Sequence, residues 1–253
     1  MNENTGKLSQ LTNKKHKLDK AHPLPPELVK NLDEWFKIEL TYTSNAIEGN
    51  TLSRAETALV VEKGITVGGK TLQEHLEATN HAEALSFIKD LAGKKRTEIT
   101  QNDILDIHRL ILTKIDMDNA GRYRRVPVRI AGSRVIMPNA IKVPELMEEF
   151  IEWLHKSIDL HPVTIAGEAH YKLVSIHPFV DGNGRTARLL MNLLLMQTGY
   201  PPAIIRKEDR SKYINSIEKA QLGGSIDAFM DLIYRAEESS LDIYLEAIEG
   251  ILP

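Results

Sequence analysis

A mainly α-helical bundle carrying one short β-hairpin is the fold this sequence predicts, on three observations. Apolar residues recur at helical spacing in segment after segment from Leu28 onward. One stretch, Leu189-Leu190-Met191-Asn192-Leu193-Leu194-Leu195-Met196, is apolar nearly all round, the mark of a helix buried in the core. A single segment, Arg122 to Pro138, alternates basic and apolar residues about a turn-forming Ala131-Gly132-Ser133, which is the pattern of a hairpin.

Taken in order, residues 1–22 are polar and lysine-rich and read as a solvated arm or frayed helix. Pro23 to Glu27 punctuates the chain, and Leu28, Val29, Leu32, Trp35, Phe36 and Ile38 predict a helix over about 27–48, with Gly49 suited to a left-handed C-cap. Thr51 to Glu56 is a capped start to a shorter helix, and a further helix runs from Thr71 to Leu91. His75 and His81 lie on it without the i, i+4 histidine spacing of a zinc helix, so they read as structural. Thr100 opens another helix through Ile111, in which His108 is a packing or hydrogen-bonded residue. Leu146, Met147, Phe150, Ile151 and Leu154 make an amphipathic scaffold helix over 143–158. The segment from Ser211 through Leu252 is helical with a break at Gly223-Gly224. The expected divisions are an arm at 1–22, an N-terminal helical region at 23–95 and a core with C-terminal helices at 96–253.

Composition narrows the function classes. The 253 residues are 42% hydrophobic and 26% charged, and no apolar run is long enough to span a bilayer, so no membrane role is expected. Without cysteine or an apolar secretory segment at the start, a cytoplasmic home is the simplest expectation. A net charge of −3 argues against a nucleic-acid partner, although Arg122, Arg124, Arg125 and Arg129 cluster locally.

The chemistry concentrates in His177-Pro178-Phe179-Val180-Asp181-Gly182-Asn183-Gly184-Arg185-Thr186-Ala187-Arg188, a polar loop between two apolar helical runs. Gly182 and Gly184 leave backbone N–H groups open to an anion, and the following helix points its positive end at the same place. Asp181 is a hard oxygen ligand of the kind Mg²⁺ prefers when phosphates and waters complete its shell. Asn183 can donate from its side chain, Arg185 and Arg188 offer planar cationic forks, and His177 is available as a base near neutral pH. The stretch reads as a nucleotide-phosphate site.

The whole string resembles the signature of the Fic family (filamentation induced by cAMP), His-Pro-Phe-x-Asp/Glu-Gly-Asn-Gly-Arg-x-x-Arg, with every fixed position filled. The resemblance implies that His177 activates a target hydroxyl, Asp181 holds Mg²⁺ on the phosphates of ATP, Gly182, Asn183 and Gly184 form the anion hole, and Arg185 and Arg188 contact phosphates. Ser44-Asn45-Ala46-Ile47-Glu48-Gly49 resembles the family's N-terminal inhibitory motif (class II), implying that Glu48 pairs with Arg188 and blocks productive ATP binding. Similarity to the family's animal endoplasmic-reticulum branch places Tyr213 and Gln221 near the adenosine and makes Gly69 to Leu72 a homodimer contact. It makes segment 122–138 a flap that pairs with the target's extended chain. Residues 96–253 would then be the Fic catalytic core. The implied activity is an autoinhibited protein adenylyltransferase acting on Ser, Thr or Tyr hydroxyls and releasing pyrophosphate. Two rivals stand beside it: removal of AMP from a modified protein using Glu48, and a nucleotide-sensing binding module with negligible turnover. Gly184 argues against a Doc-like kinase, which carries lysine there; transfer of UMP or phosphocholine stays open.

Overall fold

The apolar run at 189–196 becomes the axis of the fold. The computed structural model describes residues 3–250, and in it α8 (Asn183–Met196) has Leu190, Met191, Leu193 and Leu195 with no solvent exposure. Around α8 lie α7 (Pro162–Ile176), α4 (Leu72–Leu91), α5 (Gln101–Leu112) and, more lightly, α2 (Pro26–Ile47). A helix surrounded on all sides needs apolar residues on all sides, and at about 1.5–3 kcal/mol per fully buried leucine this one segment contributes a large share of the burial free energy.

The remaining helices are placed by caps and amphipathic faces. α3 (Arg54–Lys63) starts at a capping box in which Glu56 N donates to Ser53 Oγ (3.2 Å) and Ser53 N donates to Glu56 Oε2 (2.7 Å). Thr71 and Glu74 form the same device at the start of α4. α6 (Val143–Lys156) turns Val143, Met147, Phe150 and Leu154 inward, and α9 (Arg210–Gln221) and α10 (Asp227–Glu249) complete the bundle. His75 is structural: Val67 N donates to its Nε2 (2.8 Å) and its Nδ1 donates to Thr71 O (2.6 Å). No helix among the described residues is long and apolar enough to cross a membrane.

Two expectations are corrected. The first segment is neither a solvated arm nor a frayed helix: α1 (Glu3–Lys20) packs along α10, burying Leu11 and Leu18. Two of its lysines, in a segment that read as solvent-facing, meet acids of that helix. Lys14 Nζ donates to Glu238 Oε1 (2.7 Å) and Asp242 Oδ2 (2.8 Å), and Lys7 pairs with Asp231. Two leucines seven residues apart make a stripe too narrow to stand out in sequence, and the acids that complete it lie more than two hundred residues away.

The second correction concerns the hairpin. Segment 122–138 turns at Ala131-Gly132 as expected, but no strand forms there or elsewhere among the described residues. Its backbone donors go elsewhere: Arg124 N to Pro178 O (2.9 Å), Ser133 N to Ile130 O (3.1 Å) and Arg134 N to Glu218 Oε1 (2.9 Å). The apolar members of the alternation have no second layer to pack on, so Ile136 and Val126 remain exposed and nothing drives a ladder between the arms.

Truncating the axis should be costly. Leu190→Ala is expected to lower stability by about 2–5 kcal/mol, seen as a lower urea midpoint with an unchanged slope.

Candidate functional site

α7 ends at Ile176 because His177, which precedes a proline, leaves the right-handed helix for a left-handed conformation (φ 51°, ψ 59°). Seven residues later α8 begins, with Gly182 as its N-cap, also left-handed at φ 77°. A side chain at Gly182 would press on the His108 ring besides straining the backbone. Thr186 N bonds back to Gly182 O (2.9 Å), and no side chain caps the amides before it, so the helix start presents unpaired donors. They open on a cavity of about 430 Å³ lined by His177, Asp181, Gly182, Asn183, Gly184, Arg188, Tyr213, Gln221 and Glu48, with Val128 to Ser133 of the flap across it.

Nδ1 of His177 donates to Val174 O (3.3 Å), which leaves Nε2 as the nitrogen with the lone pair. Burial lowers its pKa from the ordinary histidine value, so the ring is neutral at physiological pH. His108 braces the loop from behind. Its Nε2 donates to Asp181 O (3.0 Å), its Nδ1 accepts from Gly121 N (3.0 Å), and its ring stacks on Phe179 at 3.6 Å. Burial pushes His108 down to about 4, which keeps it in the neutral tautomer that this pair of bonds requires.

Arg188 is buried and fully engaged. Its Nη2 donates to Glu48 Oε1 (2.7 Å) and Ser44 O (2.9 Å), its Nε to Ser44 Oγ (3.0 Å) and its Nη1 to Tyr213 Oη (3.2 Å). The expected Glu48–Arg188 pair is present, through one carboxylate oxygen rather than a two-pronged fork. Burial raises the Glu48 pKa, but the charge of Arg188, with Arg185 and Arg210 behind it, more than offsets this and holds the carboxyl below its ordinary value. Tyr213 passes the network on to Nε2 of His170 (2.8 Å), a histidine that burial brings down to about 3 and so keeps neutral as an acceptor.

Two signature side chains are engaged within the protein itself. Asn183 Oδ1 accepts from Phe179 N (2.9 Å) and its Nδ2 donates to Phe179 O (3.0 Å), so the amide staples the loop and only its backbone N–H is open to a ligand. Arg185 does not line the cavity; its Nη2 donates to Asp181 Oδ2 (3.2 Å) and its Nη1 lies 3.5 Å from Glu77 Oε1. Gln221 lines the cavity, with Nε2 donating to Ser175 Oγ (3.2 Å). Sequence reading missed Ser44 as a partner of Arg188, along with Glu77. The latter accepts from Asn50 Nδ2 (2.9 Å) as well as facing Arg185, joining the turn after Glu48 to the signature. The i, i+4 spacing of Asp181 and Arg185 was the one local signal for their pairing.

No group of three or more His, Asp or Glu side chains among the described residues is placed to cage a metal. The Asp181 carboxylate, 65% exposed at the cavity edge, is a hard oxygen donor of the type Mg²⁺ takes when phosphates and water complete its shell.

Comparison with known proteins gives this geometry a family. Residues 98–195 match the Fic/DOC family model. A Fic domain containing signaling protein from Bacteroides thetaiotaomicron superposes with a TM-score of 0.86 at 32% identity, over 96% of this chain and 97% of that one. The chain belongs to the Fic/DOC family. Fic-1 from C. elegans superposes with a TM-score of 0.88 at 33% identity, over 96% of this chain and 72% of that one. In sequence, this Fic protein is 41% identical over 243 residues to Protein adenylyltransferase Fic of Culex quinquefasciatus, covering 95% of this chain and 48% of that protein. The Drosophila virilis protein of the same name is 44% identical over 212 residues, covering 83% and 43%. The chain thus spans about half the length of the curated relatives it matches.

A Cβ on Gly184 would collide with Glu48 Oε1, the movable end of that side chain. In Gly184→Ala the carboxylate should swing away from Arg188, and carbon-13 NMR should find Glu48 titrating nearer the ordinary glutamate value than in wild type.

Proposed function

We propose that this Fic protein is an autoinhibited protein adenylyltransferase, moving AMP from ATP to a Ser, Thr or Tyr hydroxyl of a target protein. The observation that carries the reading is the Glu48–Arg188 bond at 2.7 Å beside His177 and the open amides of α8. These are a base, an anion cradle and a carboxylate on the cation that would otherwise take the terminal phosphate. The curated relatives share both the name adenylyltransferase and most of this chain's length.

In the reaction, His177 Nε2 accepts the hydroxyl proton as the target oxygen attacks the α-phosphorus. A bond forms between that oxygen and phosphorus, the bond to the bridging oxygen breaks, and pyrophosphate leaves with the electron pair. The Gly182, Asn183 and Gly184 amides stabilise charge on the phosphates. Asp181 is the residue to hold Mg²⁺, which when bound neutralises polyphosphate charge. Arg185 is held behind Asp181 and reaches phosphates by leaving Glu77. Val174, Ile214 and Ile217 give the adenosine an apolar wall, with Tyr213 and Gln221 at its edge. A target chain would lie along segment 122–138, whose unpaired backbone can complete a strand pair, and exposed Leu72 at the start of α4 is the surface for a second copy.

Glu48 controls this by occupying Arg188. A triphosphate would then meet a carboxylate where its terminal phosphate belongs, and would lie out of line for transfer. One observation favours a second activity: the Glu48 side chain is 40% exposed beside the anion cradle, where a carboxylate can orient a water for removing AMP from a modified protein.

The test is AMP transfer from α-phosphate-labelled ATP with Mg²⁺ onto lysate proteins, using wild type, Glu48→Gly and Glu48→Gly/His177→Ala. The expected result is strong labelling by Glu48→Gly alone, at least about 100-fold above the double variant, as loss of a general base costs 10²–10⁴-fold. Labelling that survives without His177 overturns the mechanism. Normal ATP binding without labelling by any variant points instead to the binding module.

A further inference from the structure

Arg124 is a buried cation that the proposed chemistry leaves unused. It is 3% exposed, and no carboxylate lies within ion-pair distance of it among the described residues. Instead it serves backbone carbonyls. Its Nε donates to His177 O (2.7 Å), Nη1 to Val126 O (3.2 Å) and Nη2 to Pro138 O (2.6 Å), while its own backbone N donates to Pro178 O (2.9 Å). Burying a guanidinium without a counter-charge is unfavourable, and packing alone would be served better by an apolar side chain. What only the planar fork supplies is three bonds in fixed directions.

Those directions connect two parts of the site. Val126 and Pro138 lie on opposite arms of the flap, so one side chain bridges arms that no strand ladder joins. His177 is one of two non-glycine residues with positive φ among those described, a conformation that needs support from its surroundings. It is gripped on both sides: its N donates to Leu173 O (2.9 Å) at the end of α7, and its O accepts from Arg124.

We infer that Arg124 is a positioning residue, fixing the backbone that aims the His177 imidazole and tying the flap's base to the same loop. A hydroxyl carried on the flap is thereby held in register with the nitrogen that takes its proton. Arg124 does not line the cavity, so the nucleotide's affinity does not depend on it. The inference rests on the transferase reading above, and its test separates the two.

In the Glu48→Gly background, Arg124→Lys and Arg124→Gln are compared for labelling rate against ATP concentration, for direct ATP affinity, and for the His177 imidazole titration by NMR. Misplacing a reacting group by about 1 Å costs about 100-fold, so both variants should lose about 10- to 100-fold in maximal rate, with KM and affinity for ATP changed by less than about 3-fold. The titration distinguishes the two variants. The groups facing His177 are Arg124 from the flap, Asp181 from the loop and, in wild type, Glu48; burial is the main cause of the lowered imidazole pKa, and the Arg124 charge adds to it. Lysine keeps that charge and the low imidazole pKa; glutamine loses it, so the pKa rises and the acid limb of the rate profile moves to higher pH. Parental rates in either variant overturn the inference, as does a rate loss matched by weaker ATP binding. If Arg124→Gln fails to fold, Arg124→Lys alone decides by its rate and ATP affinity. If the Glu48→Gly parent labels nothing, the transferase reading falls by itself. The positioning role is then read from the NMR shifts of the His177 backbone and imidazole and of the flap amides, and unchanged shifts in both Arg124→Lys and Arg124→Gln refute it.

Discussion

The buried charge of Arg188 is the constraint on which the rest of the site depends. A guanidinium inside a helical bundle must have its donors satisfied, and here Ser44 and Glu48 at the end of α2 and Tyr213 of α9 do so. These bonds hold the end of α2 against the start of α8 and bring α9 over both. Neutral His81 and His170 follow from the same requirement, since a second cation beside Arg188 would be repelled; burial and Arg188 together bring each down to about 3. Any ligand that recruits Arg188 must replace the contact that Glu48 makes, so access to the cation and the seating of the α2 turn are one equilibrium.

How much of this was legible in the sequence follows from the range of each interaction. The signature loop was readable because its parts are adjacent: Pro178 ends α7 and Gly182 starts α8 within one short stretch of chain. The buried axis was readable because Leu189 to Leu195 leaves no polar face. The pairing of Glu48 with Arg188 spans 140 residues and came from family resemblance, not from the local pattern. Ser44, Glu77 and Arg124 were missed in their present roles for the same reason: each acts on a partner that only the fold brings near. Asn183 shows the opposite error. Its side chain donates, but to Phe179 O in its own loop, a bond that motif reading does not anticipate.

The flap shows why alternation is a weaker signal than helical spacing. A helix satisfies its own backbone, whereas a strand needs another strand, and a period of two says nothing about whether one is present. Segment 122–138 keeps its turn and borrows Glu218 and Pro178 for its backbone donors. The arms are held at their base by Arg124 and near their tip by the carboxylate of Glu218, with no ladder of backbone bonds between them.

The ladder between the first and last helices also sets how the fold carries load. Lys7 meets Asp231 and Lys14 meets Glu238 and Asp242, so residue numbers rise together and α1 and α10 run parallel. The start of α1 and the end of α10 therefore lie at opposite ends of a seam about 27 Å long, taking 1.5 Å per residue over the 18 residues of α1. Tension applied between those two points stresses the seam in shear, with its leucines and ion pairs resisting together, whereas pulling α1 away sideways would break them one at a time.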